Sequence, residues 1–237
     1  MIATINSRPR APKKAPEPLS EPTVKPLAAR RAEQKHEAMR AVQDAALSLI
    51  EASGYDAVRI EDIAREAGVG PASVYRYFST KERVVLWDEY DAAMFAQFEQ
   101  ALSKQGPVEA MRATLGASLD AVYRRDKERI LRRARLIAAV PALAAGAAAD
   151  AAGMRVALAA ALVRTKRART PFEAQVIAAA LTGVIVAAVE AWVETAARKP
   201  LLSHIERALD TLAKLATDAT GREVGPRIRD KPKPSRE

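Results

Sequence analysis

Cysteine is absent from the 237 residues, and histidine occurs only as His36 and His204. The first absence excludes disulfide scaffolds, zinc knuckles, thiolate nucleophiles and iron–sulfur clusters, and the second leaves no histidine-rich metal site. No cofactor is therefore expected. There is no G-x-S-x-G elbow and no phosphate loop. His36-Glu37-Ala38-Met39-Arg40 lacks the second histidine of a metalloprotease helix, and Gly68-Val69-Gly70 is a turn rather than a dinucleotide fingerprint. Without a nucleophile–base pair the chain is not expected to be an enzyme.

Long apolar runs are also lacking. The most apolar stretches, residues 136–149 and 176–189, fall short of the roughly 20 residues a spanning helix needs. Pro141 interrupts the first and Thr182-Gly183 the second, so they are expected as buried helices of a soluble protein with no membrane partner.

What is present is charge, and its placement is uneven. Of 38 basic and 29 acidic side chains, residues 1–31 hold seven against two and residues 221–237 hold six against three. The ends are cationic while the middle is nearly neutral, which suits a polyanion gripped by arms. Residues 1–31 carry prolines at 9, 12, 16, 18, 22 and 26 and no apolar run of the signal-peptide kind. A disordered basic arm over 1–31, a disordered basic tail over 221–237 and a cytoplasmic location are expected.

Between the ends, Ala, Leu, Glu and Arg follow a helical period with few β-branched alternations, giving an all-α fold of about nine helices. Val42, Ala46, Leu49 and Ile50 mark a first amphipathic helix from about Glu33, stopped by Gly54. A second runs from about Ile60 to Ala67 and ends at Gly68. Pro71 opens a third, to about Phe78, and the pair makes a helix-turn-helix candidate. Ser79 or Thr80 caps a fourth helix that is expected to reach about Lys104. Pro107, Pro141, Pro171 and Pro200 open later helices. Stripes at Val176, Ala180, Val184, Ala187 and Ala191 and at Leu201, Ile205, Leu209 and Leu212 suit a bundle.

The string GYDAVRIEDIAREAGVGPASVYRYFSTKERVV, with Gly54, Tyr55, Ile63, Ala64, Ala67, Gly68, Val69, Ser73, Tyr75, Tyr77, Phe78, Lys81 and Glu82 in register, resembles the TetR family of transcriptional regulators. The resemblance is sharp over about residues 36–90. It implies a three-helix DNA-binding domain over 32–93 and a helical ligand-binding and dimerisation domain over 94–220. It also implies a repressor released from a near-palindromic operator by a small molecule. A helix fits the B-DNA major groove and reads base edges with its N-terminal residues. Pro71, Ala72 and Ser73 are thus expected at the bases, with Tyr75 and Arg76 on the next turn. The family's phosphate contacts carry over to Tyr75, Tyr77 and Lys81. Ile63, Ala67, Val69, Val74 and Phe78 are expected in the core.

The sequence departs from the family in two places. Val58-Arg59 stands where many relatives have a Thr-Thr pair, so a helix cap is lost while Arg59 becomes a phosphate contact. Gly70 replaces a capping Ser before the third helix. Residues 32–79 hold five basic and eight acidic side chains, an awkward balance for DNA that the basic arm compensates.

The family's dimer interface maps onto about 171–197 and 200–216, where Ala180, Gly183, Ala187 and Ala191 allow close helix approach. Candidate effector contacts are the large residues Trp87, Phe95, Phe98, Met111, Tyr123, Met154 and Trp192. The run Arg124, Arg125, Arg129, Arg132, Arg133 and Arg135 suits an acyl-coenzyme A or other hydrophobic anion, or else forms a solvated face. The expected partners are a double-stranded DNA operator, a second copy of the chain and that effector. A non-specific architectural DNA-binding protein without a ligand switch is the alternative. A helical ligand- or partner-binding protein whose head no longer reads DNA is a third reading.

Overall fold

Local signals set the helix ends. In the structure, a computed structural model describing residues 26–89 and 91–221, nine helices and no strand occur among the described residues. The basic segments 1–25 and 222–237 lie outside the described residues. The chain divides into two compact units, one ending at Glu37 and the other beginning at Ala38.

Helix α1 is Leu27–Ser53, so residues 27–31 of the expected arm are helical, the six prolines all lying before Leu27. From Val42 on, Val42, Ala46 and Ile50 are buried, and Gly54 stops the helix at φ +86°. Helix α2 is Ile60–Glu66 and α3 is Pro71–Phe78. Between them Gly68 turns the chain at φ +67°, a conformation costly for residues with a Cβ. Thr80 caps α4, Lys81–Leu86, through the Arg83 N–H at 3.2 Å.

The expected fourth helix is two. Helix α4 ends at Trp87, whose ψ of 125° is extended, and α5 is Asp91–Leu102. The buried Gln43 amide donates to the carbonyls of Val84 (2.9 Å), Val85 (3.2 Å) and Trp87 (2.7 Å), satisfying the groups that end α4. Then follow α6, Pro107–Ala139, α7, Pro141–Arg164, α8, Pro171–Glu194, and α9, Leu201–Gly221. Helix α6 breaks at Asp126, where φ −125° and ψ 17° leave the helical range.

Two apolar cores result. The body core gathers Phe98, Leu102, Met111, Leu162, Leu181, Trp192, Ile205 and Leu209. The head core gathers Val42, Leu47, Ile63, Val74, Phe78, Val84 and Val85 and takes in Leu143 of α7, with Leu136, Ile137, Val140 and Ala147 packed against it. The corner between α6 and α7 is therefore built into the head, across the boundary expected at 93/94. There α7 meets α4 so closely that a Cβ on Gly146 would lie 2.5 Å from Leu86 Cδ1.

Helices α7 and α8 are longer than their apolar stretches, and by length and composition alone each could cross a membrane. The stripe read on α8 is also displaced. Ala174, Ala178, Leu181, Ala188 and Trp192 face the core, joined only by Val184 from the expected set, whereas Val176 and Ala187 are exposed. On α9, Leu201, Ile205 and Leu209 are buried as expected.

Candidate nucleic-acid interface

Helix α3 is only eight residues long, and its two sides differ sharply. Val74 and Phe78 are buried in the head core, while Pro71, Ala72, Tyr75 and Arg76 are exposed and Ser73 is half-buried. The outer side thus presents small groups at its N-terminal turn, followed by a phenol and a guanidinium. Arg76 donates to Ser73 Oγ at 3.2 Å and lies 5.1 Å from the centroid of the Tyr77 ring. Tyr77 is half-buried, edge-on to Phe78 at 6.4 Å.

The Tyr75 hydroxyl donates to Glu61 Oε1 at 3.1 Å, tying α3 to the start of α2, and that bond together with burial and the Glu61 charge raises the phenol's pKa. Glu61 was not singled out from the sequence, since nothing in the spacing of positions 61 and 75 announces their meeting. It places a carboxylate beside the exposed phenol.

Arg59 precedes α2 and is exposed. Its side chain has no acceptor and cannot cap the helix, but Asp62 Oδ2 accepts the Arg59 N–H at 3.2 Å, half of a reciprocal cap. The Arg65 guanidinium and this N–H hold the Asp62 carboxyl below its ordinary pKa. Val58 fills the head core.

Lys81, expected at a phosphate, is half-buried and tied into the fold. Its ammonium donates to the carbonyls of Tyr55 (2.6 Å) and Val58 (2.8 Å), binding the turn after α1 to the start of α4. One of three N–H donors remains for another partner.

The large residues of the body only partly come together. Phe98, Met111 and Trp192 are buried in its core, with Phe95, Tyr123 and Met154 packed on them. Trp87 belongs to the head core instead, edge-on to Phe78 at 5.8 Å. The Trp192 ring meets Tyr123 edge-on at 6.1 Å. Trp192 Nε1 and Thr182 Oγ1 are buried without a hydrogen-bond partner. Two open clefts, between α5 and α6 and between α8 and α9, are lined by none of these seven residues.

The arginine run of α6 is divided, with Arg124, Arg125 and Arg135 exposed and Arg129, Arg132 and Arg133 half-buried. Arg125 pairs with Asp126, Arg129 with Glu89, Arg132 with Glu51 and Arg133 with Asp88. These carboxylates come from α1, the α4–α5 linker and α6 itself, so most of the run's charge is spent within the fold.

A family model for bacterial regulatory proteins of the TetR family matches residues 43–86, and a model of the MftR C-terminal domain matches residues 105–217. MftR of Mycobacterium tuberculosis, described as a mycofactocin biosynthesis transcriptional regulator, is 30% identical over 155 residues, covering 64% of this chain and 77% of MftR. Among solved structures, the complex of SmeT with triclosan superimposes with a TM-score of 0.52 at 19% identity, covering 84% of this chain and 99% of SmeT. SmeT represses a multidrug efflux pump of Stenotrophomonas maltophilia. NalD, a secondary repressor of an efflux pump in Pseudomonas aeruginosa, gives a TM-score of 0.53 at 17% identity, covering 76% of this chain and 96% of NalD. At these identities the two structures show a shared fold. The match to MftR and the head and body models show that this chain belongs to the TetR family, whose members are non-enzymatic transcriptional regulators that bind DNA operators as dimers and respond to small molecules.

Proposed function

We propose that the protein is a repressor that reads a near-palindromic operator through α3 and leaves it when a small molecule binds in the body. The observation that carries this is the two-sided α3, with Val74 and Phe78 locked into the core and Pro71, Ala72, Tyr75 and Arg76 presented outward. In this reading Pro71, Ala72 and Ser73 meet base edges, and Tyr75, Arg76 and Arg59 meet bases or phosphates. Tyr77 and the third donor of Lys81 complete the phosphate contacts.

Dimerisation through α8 and α9 brings two such helices about 34 to 36 Å apart, one DNA turn. Support comes from an exposed α8 face of Phe172, Val176, Gly183 and Ala187 and from a groove of about 390 Å³ between α8 and α9 that includes Gly183, Ala187, Ala191 and Leu215. Phe172 is 75% exposed in the single chain, a cost that a second copy removes.

The effector site lies among Phe95, Phe98, Met111, Tyr123, Met154 and Trp192. The unpartnered Trp192 Nε1 supplies a polar contact there. With most of the arginine run paired, an apolar effector fits better than an acyl-coenzyme A. The relationship to MftR makes promoters of mycofactocin biosynthesis genes the first DNA to test.

The test is a binding selection on fragmented genomic DNA at about 150 mM salt, with a Tyr75→Ala, Arg76→Ala variant alongside. Both residues are exposed, so their loss leaves the fold intact. A few sites preferred about 10³-fold or more over bulk DNA, and lost in the variant, are expected. Diffuse binding that survives in the variant and disappears when residues 1–25 are removed establishes the architectural reading instead.

A further inference from the structure

Between head and body lies a group of charges centred on two buried carboxylates, Glu89 and Asp126. Arg40 of α1 donates through Nη2 to Asp126 Oδ1 at 2.6 Å and lies 3.0 Å from Glu89 Oε1 through Nη1. Arg129 of α6 donates to the same Glu89 oxygen at 2.6 Å, donates to Gln43 Oε1 at 2.7 Å and has Nε 2.8 Å from Asp44 Oδ1. Arg125 donates to the second Asp126 oxygen at 2.7 Å. The side chains of Glu89 and Asp126 are only 4% and 7% exposed. Three cations face three carboxylates, drawn from the head, the α4–α5 linker and the body.

Two features set this group apart from ordinary surface ion pairs. The first is the break in α6. Sharp helix breaks ordinarily trace to proline, glycine or an inserted group. Residues 125–127 are Arg-Asp-Lys, and the residue that leaves the helical range is the one whose carboxylate the head's Arg40 holds. The second is Gln43, whose amide nitrogen caps the end of α4 while its oxygen accepts from Arg129. One residue of α1 thus links the last turn of the head to α6. Apolar contacts are non-directional and tolerate sliding, whereas short charge-assisted hydrogen bonds are directional, and a buried carboxylate that loses its partner is strongly disfavoured.

We propose that Arg40, Glu89, Asp126 and Arg129 are positioning residues that fix the angle at which the head leaves the body, with the break at Asp126 as the adjustable element. The group sets where the two recognition helices of a dimer fall on DNA without touching the DNA. This part rests on the DNA-reading function proposed above; the fixed angle does not.

The absence of native cysteine allows a direct test. Glu66→Cys on the head and Lys104→Cys on the body, both exposed, take spin labels, and labelled protein is diluted into unlabelled protein so that one subunit per dimer reports. A single narrow distance is expected for the parent. Glu89→Gln and Asp126→Asn keep side-chain size and remove charge, and each should broaden or shift the distance by about 2 Å or more. Should either fail to fold, Arg40→Lys, which keeps the charge but not the forked geometry, carries the same measurement. On the operator, these variants should lose about tenfold in affinity and no longer discriminate between half-site spacings one base pair apart. An unchanged narrow distance, with affinity and spacing preference retained and only the melting temperature lowered, overturns the proposal. If the parent selects no operator, the functional reading fails while the distances still decide the joint.

Discussion

The ammonium of Lys81 stands 4.0 Å from the centroid of the Tyr55 ring, and the Tyr55 hydroxyl donates to Glu82, the next residue along α4. The glycine-aromatic and Lys-Glu parts of the family pattern, 26 residues apart in sequence, are thereby two halves of one contact. Lys81 closes the turn before α2 onto the start of α4, and this closure fixes the frame that carries α3.

Replacing Lys81 by Met keeps a stem over Tyr55 and strands the carbonyls of Tyr55 and Val58. Urea unfolding should show a loss of about 1–3 kcal/mol. Operator affinity should fall as well. A variant as stable as the parent with normal affinity would show that those two bonds contribute nothing.

The Tyr55–Glu82 bond makes part of the stability depend on pH. The Tyr55 hydroxyl is the largest influence holding the Glu82 carboxyl below its ordinary value. Its contribution is full above the unfolded glutamate value of about 4.3 and is lost as pH falls through the lower folded value. Burial first, then Glu82, pushes the Tyr55 phenol up, so its contribution is full below about pH 10 and is lost as pH rises through the raised folded value. Tyr55→Phe should therefore cost about 1–2 kcal/mol at neutral pH, with the gap to the parent narrowing in acid. A gap of constant size from neutral pH to about pH 3.5 would rule this out.

Glu61 holds the exposed Tyr75 hydroxyl and sets a negative charge beside it. Glu61→Gln removes the charge and frees the phenol for phosphate. Fluorescence anisotropy should show DNA binding strengthened several-fold. Stability should change by no more than about 0.5 kcal/mol, as for other surface sites. Weaker binding would mean that the Glu61–Tyr75 bond orients the phenol for contact.

After α8 the chain turns through Ala196 and Ala197 at φ +51° and +54°, a region that costs residues with a Cβ about 1–2 kcal/mol each. Ala196 is exposed, so Ala196→Gly relieves strain without opening a cavity. After the entropy that glycine adds to the unfolded chain, a gain of about 0.5–1 kcal/mol is expected, read as a higher melting temperature with unchanged DNA binding.

The head was legible because its signals are local. Gly54 and Gly68 stop helices at positive φ, Pro71 stands first in α3, Thr80 caps α4, and Val42, Ala46 and Ile50 recur at helical spacing. The site was legible in part for the same reason. The side of α3 opposite Val74 and Phe78 follows from periodicity, whereas the partner of Tyr75 and the two carbonyls under Lys81 do not. The end of α4 at Trp87 was missed because no glycine or proline marks it. It depends on Gln43, which reaches its three carbonyls from another helix.

Composition and periodicity determined that this chain is helical and lacks cysteine, while the residues over about 36–90 carried the resemblance to DNA-reading regulators of the TetR family. Tertiary structure alone decided that Leu143 of the body completes the head core and that Trp87 belongs to the head. It also decided that Val176 faces outward on α8 and that the arginines of α6 join head to body. Helix formation is governed by neighbours three and four residues away, which a sequence displays directly. The pairs that seat the head, such as Arg40 with Glu89 and Asp126, lie 49 and 86 residues apart. Which of several arginines reaches which carboxylate depends on the angle at which the helices pack, and that angle exists only in the folded chain.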